Sequence, residues 1–180
     1  SQDKSKEGGR GGGGLIPPNS SAQQPPRTIQ ELQQRLAKDY IQNNYLWTGQ
    51  LDLACFEPNC RFTDPTLSFV GTDTYQKNIN NLVPWVERWV QNSQSILLDI
   101  TATSDYIETR WNMVGELNTL FWKPKIDVIG RTKFWFRIHA PDDFLRVYEY
   151  DEKWEIPAYQ ALLQLVTPAG TFSNTQQTTK

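Results

Sequence analysis

Apolar residues recur at steps of three and four through the first part of the chain, which is the spacing of an α-helix. Thr28 precedes this stripe and Glu31 follows three residues later, so the two form a capping box just after Pro25-Pro26. These signals predict a first helix over residues 28–45. Its apolar stripe consists of Ile29, Leu32, Leu36 and Tyr40.

Two further helices are expected before the sheet begins. Thr48 can cap a short second helix, which ends at the turn Glu57-Pro58-Asn59. A third helix follows Gly71, and Pro84 is expected to kink it or to begin a separate turn. The apolar stripe of this third helix consists of Tyr75, Ile79, Leu82, Val86, Trp89 and Val90.

The period of the apolar pattern changes from near four to two at Ser95, which marks the start of a sheet. Two short extended segments, over residues 60–63 and 67–70, come earlier, on either side of Asp64-Pro65. The main strands are predicted at residues 96–103, 106–113, 126–138 and 144–151. Strands joined in series by short turns should pair antiparallel, so the order of elements predicts an α+β domain.

The ends of the chain differ from its middle. No aromatic residue appears before Tyr40, and residues 1–27 are glycine-rich and proline-rich without a periodic apolar face. We therefore expect a disordered tail over 1–27, one ordered domain over 28–167 and a frayed tail over 168–180. A final helix over 157–166 is too short to stand alone, and it should dock through its apolar residues Leu162, Leu165 and Val166.

Charge and hydropathy exclude some classes of function. The formal net charge is −2 and the 18 Lys and Arg residues are scattered, which argues against nucleic-acid binding. No apolar run approaches the roughly 18 residues that span a bilayer, so we expect a soluble protein. The chain begins at Ser1 without a methionine or an apolar signal segment, and we expect that a targeting segment has been removed.

Candidate metal ligands are few. Cys55, Cys60 and the single histidine, His139, cannot form a four-ligand zinc site by themselves, and we expect neither a metal nor a cofactor. The cysteines are expected to be buried free thiols at a helix-to-strand corner, with a redox-sensitive disulfide as the alternative. His139 is expected at an exposed strand end, with a catalytic or pH-sensitive imidazole as the alternative.

One stretch of sequence carries a family resemblance. The run Phe56-Glu-Pro-Asn-Cys-Arg-Phe-Thr-Asp64-Pro65 is followed by Phe69-Val70-Gly71 and Tyr75. Together with Lys153-Trp-Glu-Ile-Pro-Ala-Tyr-Gln-Ala-Leu-Leu-Gln-Leu near the end, it resembles the nuclear-transport-factor-two-like superfamily. In particular, it resembles a plant and cyanobacterial branch that is catalogued as a domain of unknown function.

The resemblance implies a fold and a location. The fold is an α+β cone, in which a curved antiparallel sheet wraps around three N-terminal helices and a short C-terminal helix follows. For a plant member the resemblance also implies the chloroplast, in the stroma rather than the lumen.

Ketosteroid isomerase and the polyketide cyclases are the relatives with known chemistry. In the isomerase, the aspartate of the Asp-Pro pair is the general base and a tyrosine of the first helix donates to the oxyanion. The resemblance carries these roles to Asp64 and Tyr40. The third member, a protonated aspartate on a late strand, has no equivalent around Gly130-Arg-Thr-Lys-Phe134.

Each of these residues also has a plain structural interpretation. Aspartate before proline commonly forms a turn that accepts backbone amides, which describes Asp64. Tyr40 lies on an apolar stripe and can be a core aromatic whose hydroxyl finds a partner. Charged residues on alternating strand positions can form cross-strand pairs or an anion site: Glu108, Arg110, Arg137 and Arg146.

Three functions compete. The leading one is a non-catalytic module that binds a small apolar or amphipathic ligand, or a protein partner, through the pocket of the cone. The second is an isomerase-type or cyclase-type enzyme that abstracts a proton next to a carbonyl with Asp64 as base. The third is an assembly protein that forms a homodimer or joins a partner through the outer face of the sheet. The aromatic residues expected to line the pocket are Phe62, Phe69, Trp89, Trp111, Phe134 and Phe136.

Overall fold

The structure, a computed structural model, describes residues 24–118, 123–140 and 142–167. The predicted C-terminal tail over 168–180 lies outside the described residues. Residues 1–23 of the predicted N-terminal tail also lie outside them. The remaining part of that tail, residues 24–27, lies against the domain. The Pro26 carbonyl accepts a hydrogen bond from the Leu145 amide at 2.8 Å.

The elements follow the predicted order of helices and then strands. The helices are α1 (Ile29–Ile41), α2 (Tyr45–Thr48), α3 (Thr72–Trp89) and α4 (Ala158–Leu163), and a 3-10 turn covers Leu53–Cys55. The strands are β1 (Phe56–Thr63), β2 (Ser68–Val70), β3 (Val90–Ala102), β4 (Tyr106–Leu117), β5 (Lys125–His139) and β6 (Phe144–Trp154).

These six strands form one curved, open sheet in the order β2-β1-β6-β5-β4-β3. The pairs β3 with β4, β4 with β5 and β5 with β6 are antiparallel, as predicted for strands that follow one another along the chain. β1 pairs with β6 in parallel. That pairing joins distant parts of the sequence, so the rule for consecutive strands does not reach it. The α+β cone predicted from the resemblance is confirmed.

The first helix is shorter than predicted. Thr28 caps α1 as expected, because its hydroxyl accepts a hydrogen bond from the Glu31 amide at 3.1 Å. The helix ends at Ile41, because Asn44 adopts a left-handed conformation with φ of 52° that breaks the helical path. The predicted stripe is confirmed, since Leu32, Leu36 and Tyr40 are buried and Ile29 packs against them.

The prediction for the second helix is wrong in its boundaries. Thr48 ends α2 instead of capping a helix, and its hydroxyl donates to the Asn43 carbonyl at 2.7 Å. The expected turn at Glu57-Pro58-Asn59 lies within β1. The register of β1 against β6 shifts between Phe56 and Arg61. An irregularity of this kind accommodates a proline, which lacks the amide that a regular ladder requires.

The third helix and the first long strand also differ from prediction. Pro84 lies inside α3 and does not begin a separate helix. β3 begins at Val90, directly after α3 and five residues before the expected start at Ser95. Residues 91–95 are all polar, so alternation is invisible there and the sequence pattern could not reveal this part of the strand.

The C-terminal helix docks through different residues than predicted. Of the predicted stripe, Leu162 is 51% exposed and Val166 is also exposed, while Leu165 is half-buried; Ala161 and Gln164 are buried. The Gln164 side chain accepts a hydrogen bond from the Asp127 amide at 2.9 Å and donates one to the Asp127 carbonyl at 3.0 Å. Two hydrogen bonds between Gln164 and the backbone of β5 therefore hold α4, and the expected docking through Leu162 and Val166 is wrong.

Candidate functional site

A chain of hydroxyl groups crosses the core of the cone. The Tyr45 hydroxyl donates to the Tyr40 hydroxyl at 2.9 Å, and Tyr40 shares a second hydrogen bond with the Thr109 hydroxyl at 2.6 Å. The hydroxyls of Tyr45 and Tyr150 are 3.2 Å apart, and Tyr150 donates to the Glu152 carboxylate. We call Tyr40, Tyr45, Tyr150 and Glu152 the tyrosine–glutamate network. It joins α1, α2 and β6 through a mainly apolar interior, in which Thr109 and Thr132 are also fully buried.

Glu152 is the acidic end of this network. Burial raises its pKa from 4.5 to about 7, and the negative charge of Asp64 acts in the same direction. Hydrogen bonds from the Tyr150 hydroxyl and the Trp154 indole, the latter 2.9 Å long, oppose this rise by stabilising the carboxylate. A carboxyl group whose pKa lies near 7 can hold or release a proton at neutral pH.

The three phenols are donors. Burial raises the pKa of Tyr40, Tyr45 and Tyr150 above the ordinary value, so each keeps its proton at neutral pH. Each phenol has one hydrogen to give, and Tyr45 donates its hydrogen to Tyr40 while Tyr150 donates its hydrogen to Glu152. A carboxyl group that titrates near neutral pH, with hydrogen-bond donors beside it, is an arrangement that general acid–base catalysis uses.

Asp64 lies in a turn between β1 and β2. Its Oδ1 accepts hydrogen bonds from the Thr66 amide at 2.6 Å and the Leu67 amide at 3.0 Å. The Asp64 amide in turn donates to the Leu67 carbonyl at 3.0 Å. This is the geometry that the turn interpretation describes. Among the described residues no hydrogen bond joins Asp64 to Tyr40, whose hydroxyl is engaged with Thr109 and Tyr45.

The aromatic residues proposed from the sequence as pocket walls are mostly packed against one another. The rings of Phe62 and Phe69 stack at a centroid distance of 5.3 Å, and Phe134 meets Tyr150 edge to face, also at 5.3 Å. Trp111 and Phe136 are buried in the same core. Trp89 is apart from this group at the end of α3, where the Arg88 guanidinium lies 5.1 Å from its ring centre.

A surface groove of about 480 Å³ runs between the end of α1 and strand β3. Ile41, which is 69% exposed, forms part of its apolar side together with Ile96 and Leu97. The other lining residues are Tyr40, Asn44, Ser93, Gln94 and Ser95.

A small set of hydrogen bonds fixes the base of this groove. The Asn44 amide nitrogen donates to the Ser93 carbonyl at 3.2 Å, and the Asn44 oxygen accepts from the Ser95 hydroxyl at 2.7 Å. The Ser95 hydroxyl also accepts from the Leu46 amide at 3.2 Å. The left-handed corner at Asn44 is therefore bound to β3, which sets the spacing of the two walls.

Sequence reasoning missed Glu152 and Tyr150 because β6 changes phase. Phe136 pairs with Val147 while its neighbour Trp135 pairs with Glu149, so Tyr148 is an extra residue in β6. The bulge turns Tyr150 and Glu152 inward, although regular alternation from Val147 would place them outside. The period-two run Tyr150, Glu152, Trp154 was the only available signal.

The cysteines and the histidine lie where the plain interpretations put them. Cys55 and Cys60 are buried free thiols, and burial raises both pKa values, that of Cys60 to about 12. His139 is exposed at the end of β5. In the described ranges no three His, Cys, Asp or Glu side chains lie close enough together to hold a metal ion. None of the described helices is long and apolar enough to cross a membrane.

Charged residues pair across the outer face of the sheet. Glu108 accepts from Arg131 at 3.1 Å and lies 3.4 Å from Lys133, while Arg110 forms a two-bond pair with Glu155. The two other arginines proposed for this ladder pair elsewhere: Arg137 with Glu57 and Arg146 with Asp142.

Comparisons with known proteins agree with this fold. A hypothetical protein from Catenulispora acidiphila, with a ketosteroid isomerase-like fold and solved in complex with trimethylamine, is 14% identical. Its TM-score is 0.50, over 81% of this chain and 100% of its own. AclR from Streptomyces galilaeus is 11% identical with a TM-score of 0.52, over 78% of this chain and 89% of its own. At these identities the likeness shows the fold alone.

A comparison with curated proteins found no match. The fold is that of the nuclear-transport-factor-two-like superfamily. The family described as uncharacterized conserved protein (DUF2358) matches residues 30–139, which is more than half of the chain, and the chain therefore belongs to this family.

Proposed function

We propose that the protein is a non-catalytic binding module, which holds an amphipathic ligand in the groove between α1 and β3. The observation that carries this proposal is the groove itself. Its volume of about 480 Å³ lies within the roughly 300–1,000 Å³ of ligand pockets. The exposed side chains of Ile41 and Ile96 offer apolar area that water covers in the free protein.

The lining suits binding better than catalysis. Among the described residues that line the groove, Tyr40 alone is titratable, and its hydroxyl is bonded inside the core to Thr109 and Tyr45. The remaining polar residues are amides and hydroxyls, which orient a ligand but do not exchange protons at neutral pH. A ligand with one apolar face and uncharged polar groups fits this surface.

Titration with Nile red, an uncharged amphipathic dye, tests the proposal. We expect its fluorescence to rise on binding, and Ile41→Glu to weaken binding about tenfold because it places a charge in the apolar wall. Gln42→Glu is the matched control, since Gln42 is exposed beside Ile41 but does not line the groove. Equal affinities for the two variants would contradict the proposal. If Ile41→Glu does weaken binding selectively, native mass spectrometry of protein from its own source would identify the natural ligand.

The tyrosine–glutamate network supports a second candidate function, an isomerase-type or cyclase-type enzyme. In this candidate Glu152, in place of Asp64, takes a proton from the carbon next to a substrate carbonyl. Its pKa near 7 suits a base that works at neutral pH, and Tyr150 supplies a neighbouring donor.

Solvent deuterium exchange at the α-carbon of a simple ketone measures this reaction class. An enzyme should accelerate the exchange, and Glu152→Gln should abolish the acceleration while Asp64→Asn retains most of it. Acceleration that survives Glu152→Gln would remove Glu152 from the mechanism. The absence of any acceleration would leave the binding module as the better proposal.

Two other expectations stay predictions. The chloroplast location depends on the family resemblance, and imaging of a fluorescent fusion in plant cells tests it. Assembly through the outer face of the sheet would require that face to give up the hydration of its ion pairs, and analytical ultracentrifugation tests it.

A further inference from the structure

The hydroxyls of Tyr45 and Tyr150 meet without a hydrogen to share. Their oxygens are 3.2 Å apart, close enough for a hydrogen bond. A tyrosine hydroxyl has one hydrogen to donate, and Tyr45 donates its hydrogen to Tyr40 while Tyr150 donates its hydrogen to the Glu152 carboxylate. With Glu152 charged, the lone pairs of two buried oxygens therefore face each other, and the low polarity of the interior strengthens their repulsion.

The far end of this series of hydroxyls fixes the direction of donation. The Thr109 hydroxyl donates to the Thr132 carbonyl at 3.4 Å, so the hydrogen in its 2.6 Å contact with Tyr40 comes from Tyr40. Tyr40 in turn accepts from Tyr45. To turn the Tyr45 hydrogen the other way, all three hydroxyls would have to reverse and Thr109 would lose its bond to Thr132. The missing hydrogen is supplied with less change from the opposite, carboxyl end of the series.

The surroundings of the Glu152 carboxyl group fit a neutral form. Its Oε1 accepts from the Trp154 indole at 2.9 Å, and its Oε2 lies against the Tyr150 hydroxyl. A neutral carboxyl group has one oxygen that only accepts and one that donates a hydrogen. Protonated on Oε2, Glu152 keeps the bond from Trp154 and donates to Tyr150, which frees the Tyr150 hydrogen for Tyr45. Each contact in the series then has one hydrogen.

The charged groups around Glu152 do not oppose its protonation. Among the ion pairs of the described residues, none includes Glu152. The charge that acts on it is that of Asp64, in the turn between β1 and β2, and this charge is negative. Besides the phenols of the network, Tyr75 of α3 is within reach of the Glu152 charge. Glu152 is half-buried, so water can deliver and remove its proton.

We propose that Glu152 and the hydroxyls of Tyr150, Tyr45 and Tyr40 form a proton-operated switch in the core of the cone. One proton from water adds to Oε2 of Glu152, the Tyr150 hydrogen turns from Glu152 to Tyr45, and a one-way series of donors then runs from Glu152 to Thr109. Loss of the proton returns the Tyr150 hydrogen to the carboxylate and leaves the contact between α2 and β6 without a hydrogen. Burial raises the pKa of Glu152 to about 7, which puts this change near neutral pH. The switch goes beyond the proposed function and is independent of the groove and its ligand.

Tyr45→Phe tests the switch, because it removes the acceptor of the Tyr150 hydrogen in the protonated form. That hydrogen then has Glu152 as its remaining partner, which favours the carboxylate. We expect carbon-detected NMR to show a Glu152 midpoint about 0.5–1 pH units below that of the wild type. Burial alone predicts the opposite sign, since the loss of a buried hydroxyl makes the surroundings less polar. An unchanged or higher midpoint would overturn the inference.

Tyr75→Phe is the matched control. The Tyr75 ring stacks on Phe62 in the same core, and its hydroxyl donates to the Gly49 carbonyl at 2.9 Å, outside the series. This variant therefore removes a phenol hydroxyl without interrupting the series, and the Glu152 midpoint should stay the same or rise slightly. A fall as large as the one in Tyr45→Phe would show that the loss of any core hydroxyl lowers the midpoint, and it would count against the switch.

A second measurement decides the matter if Tyr45→Phe does not fold. The ring Cζ signal of isotope-labelled tyrosine responds to whether the hydroxyl donates or accepts. In the wild type, the Tyr45 and Tyr150 signals should change at the Glu152 midpoint, and Tyr45 should change more than Tyr75, which is near the same charge but outside the series. In Glu152→Gln the side-chain amide donates to Tyr150 at every pH, so both signals should stay near their wild-type acid positions. A Tyr45 signal that does not change with pH in the wild type, or changes no more than that of Tyr75, would overturn the inference.

Discussion

At the scale of single residues, Glu152 shows how burial changes chemistry. Two donors, the Tyr150 hydroxyl and the Trp154 indole, stabilise its carboxylate, yet the loss of water around it has the larger effect and its pKa rises to about 7. A carboxyl group with a pKa near 7 gains or loses its proton close to neutral pH. The state of the tyrosine–glutamate network therefore depends on pH in the physiological range.

Titration of the Glu152 side chain by carbon-detected NMR tests this assignment, and we expect a midpoint near 7 instead of 4.5. Tyr150→Phe removes a hydrogen bond that favours the charged form, so it should raise the midpoint. Asp64→Asn removes a nearby negative charge, so it should lower it. A wild-type midpoint near 4.5, or shifts of the opposite sign in the two variants, would contradict the burial of this carboxyl group.

The sequence could reveal some site residues and not others. The sequence could identify Tyr40 because it lies on a helical stripe whose period continues without interruption from Leu32. The sequence could not identify Glu152. The extra residue at Tyr148 makes the side chains that follow it in β6 exchange the inner and outer faces of the sheet, and no local signal in the sequence marks this bulge. The groove was also hidden, since it depends on the left-handed corner at Asn44 that brings α1 beside β3.

At the scale of elements, the helices were easier to place than to delimit. Capping residues marked the start of α1, because the Thr28 side chain acts locally. The end of α1 and the start of β3 depend on contacts between distant residues, which sequence periodicity does not contain. Helix α4 shows the same limit: its leucines suggested an apolar contact, whereas the buried amide of Gln164 holds it to β5.

Substitutions in α4 separate these two modes of docking. Gln164→Ala removes two hydrogen bonds and leaves backbone groups of Asp127 without their partners, so we expect it to lower the free energy of unfolding by about 1–3 kcal/mol. Leu162→Ala is the control within the same helix and should cost less than about 0.5 kcal/mol, because that side chain is half exposed. Urea denaturation measures both. A larger loss for Leu162→Ala would restore the apolar mode.

At the scale of the whole molecule, the cone followed from the order of elements. Helices followed by strands with short connections leave few possible arrangements. One of them is the observed sheet, in which each of the consecutive strands from β3 to β6 pairs antiparallel with the next. The parallel contact of β1 with β6 was beyond the sequence pattern, since it closes a loop of more than eighty residues. The position of the short β2 at the outer edge follows from that contact.

The N-terminal boundary of the folded unit supplies a test at this scale. Gln24 and Pro26 connect the start of the chain to the domain, because the Gln24 carbonyl accepts from Arg35 at 2.6 Å and the Pro26 carbonyl accepts from Leu145 at 2.8 Å. The Arg27 guanidinium also lies 4.3 Å from the ring centre of Phe144. Pro26 itself is buried, so this segment behaves as part of the core.

Two truncations isolate the contribution of that segment. Deletion of residues 1–23 should leave the melting temperature unchanged, because they contain no aromatic residue and no periodic apolar face. Deletion of residues 1–27 should lower the free energy of unfolding by about 1–3 kcal/mol, because it leaves the Leu145 amide without a partner and removes the Gln24 carbonyl that accepts from Nη1 of the buried Arg35. The comparison of the two proteins by thermal and urea denaturation gives the difference directly. Equal stabilities would mean that water replaces these partners without loss and that the folded unit begins at Thr28. A loss in the shorter deletion would show instead that residues before Gln24 contribute to the stability of the cone.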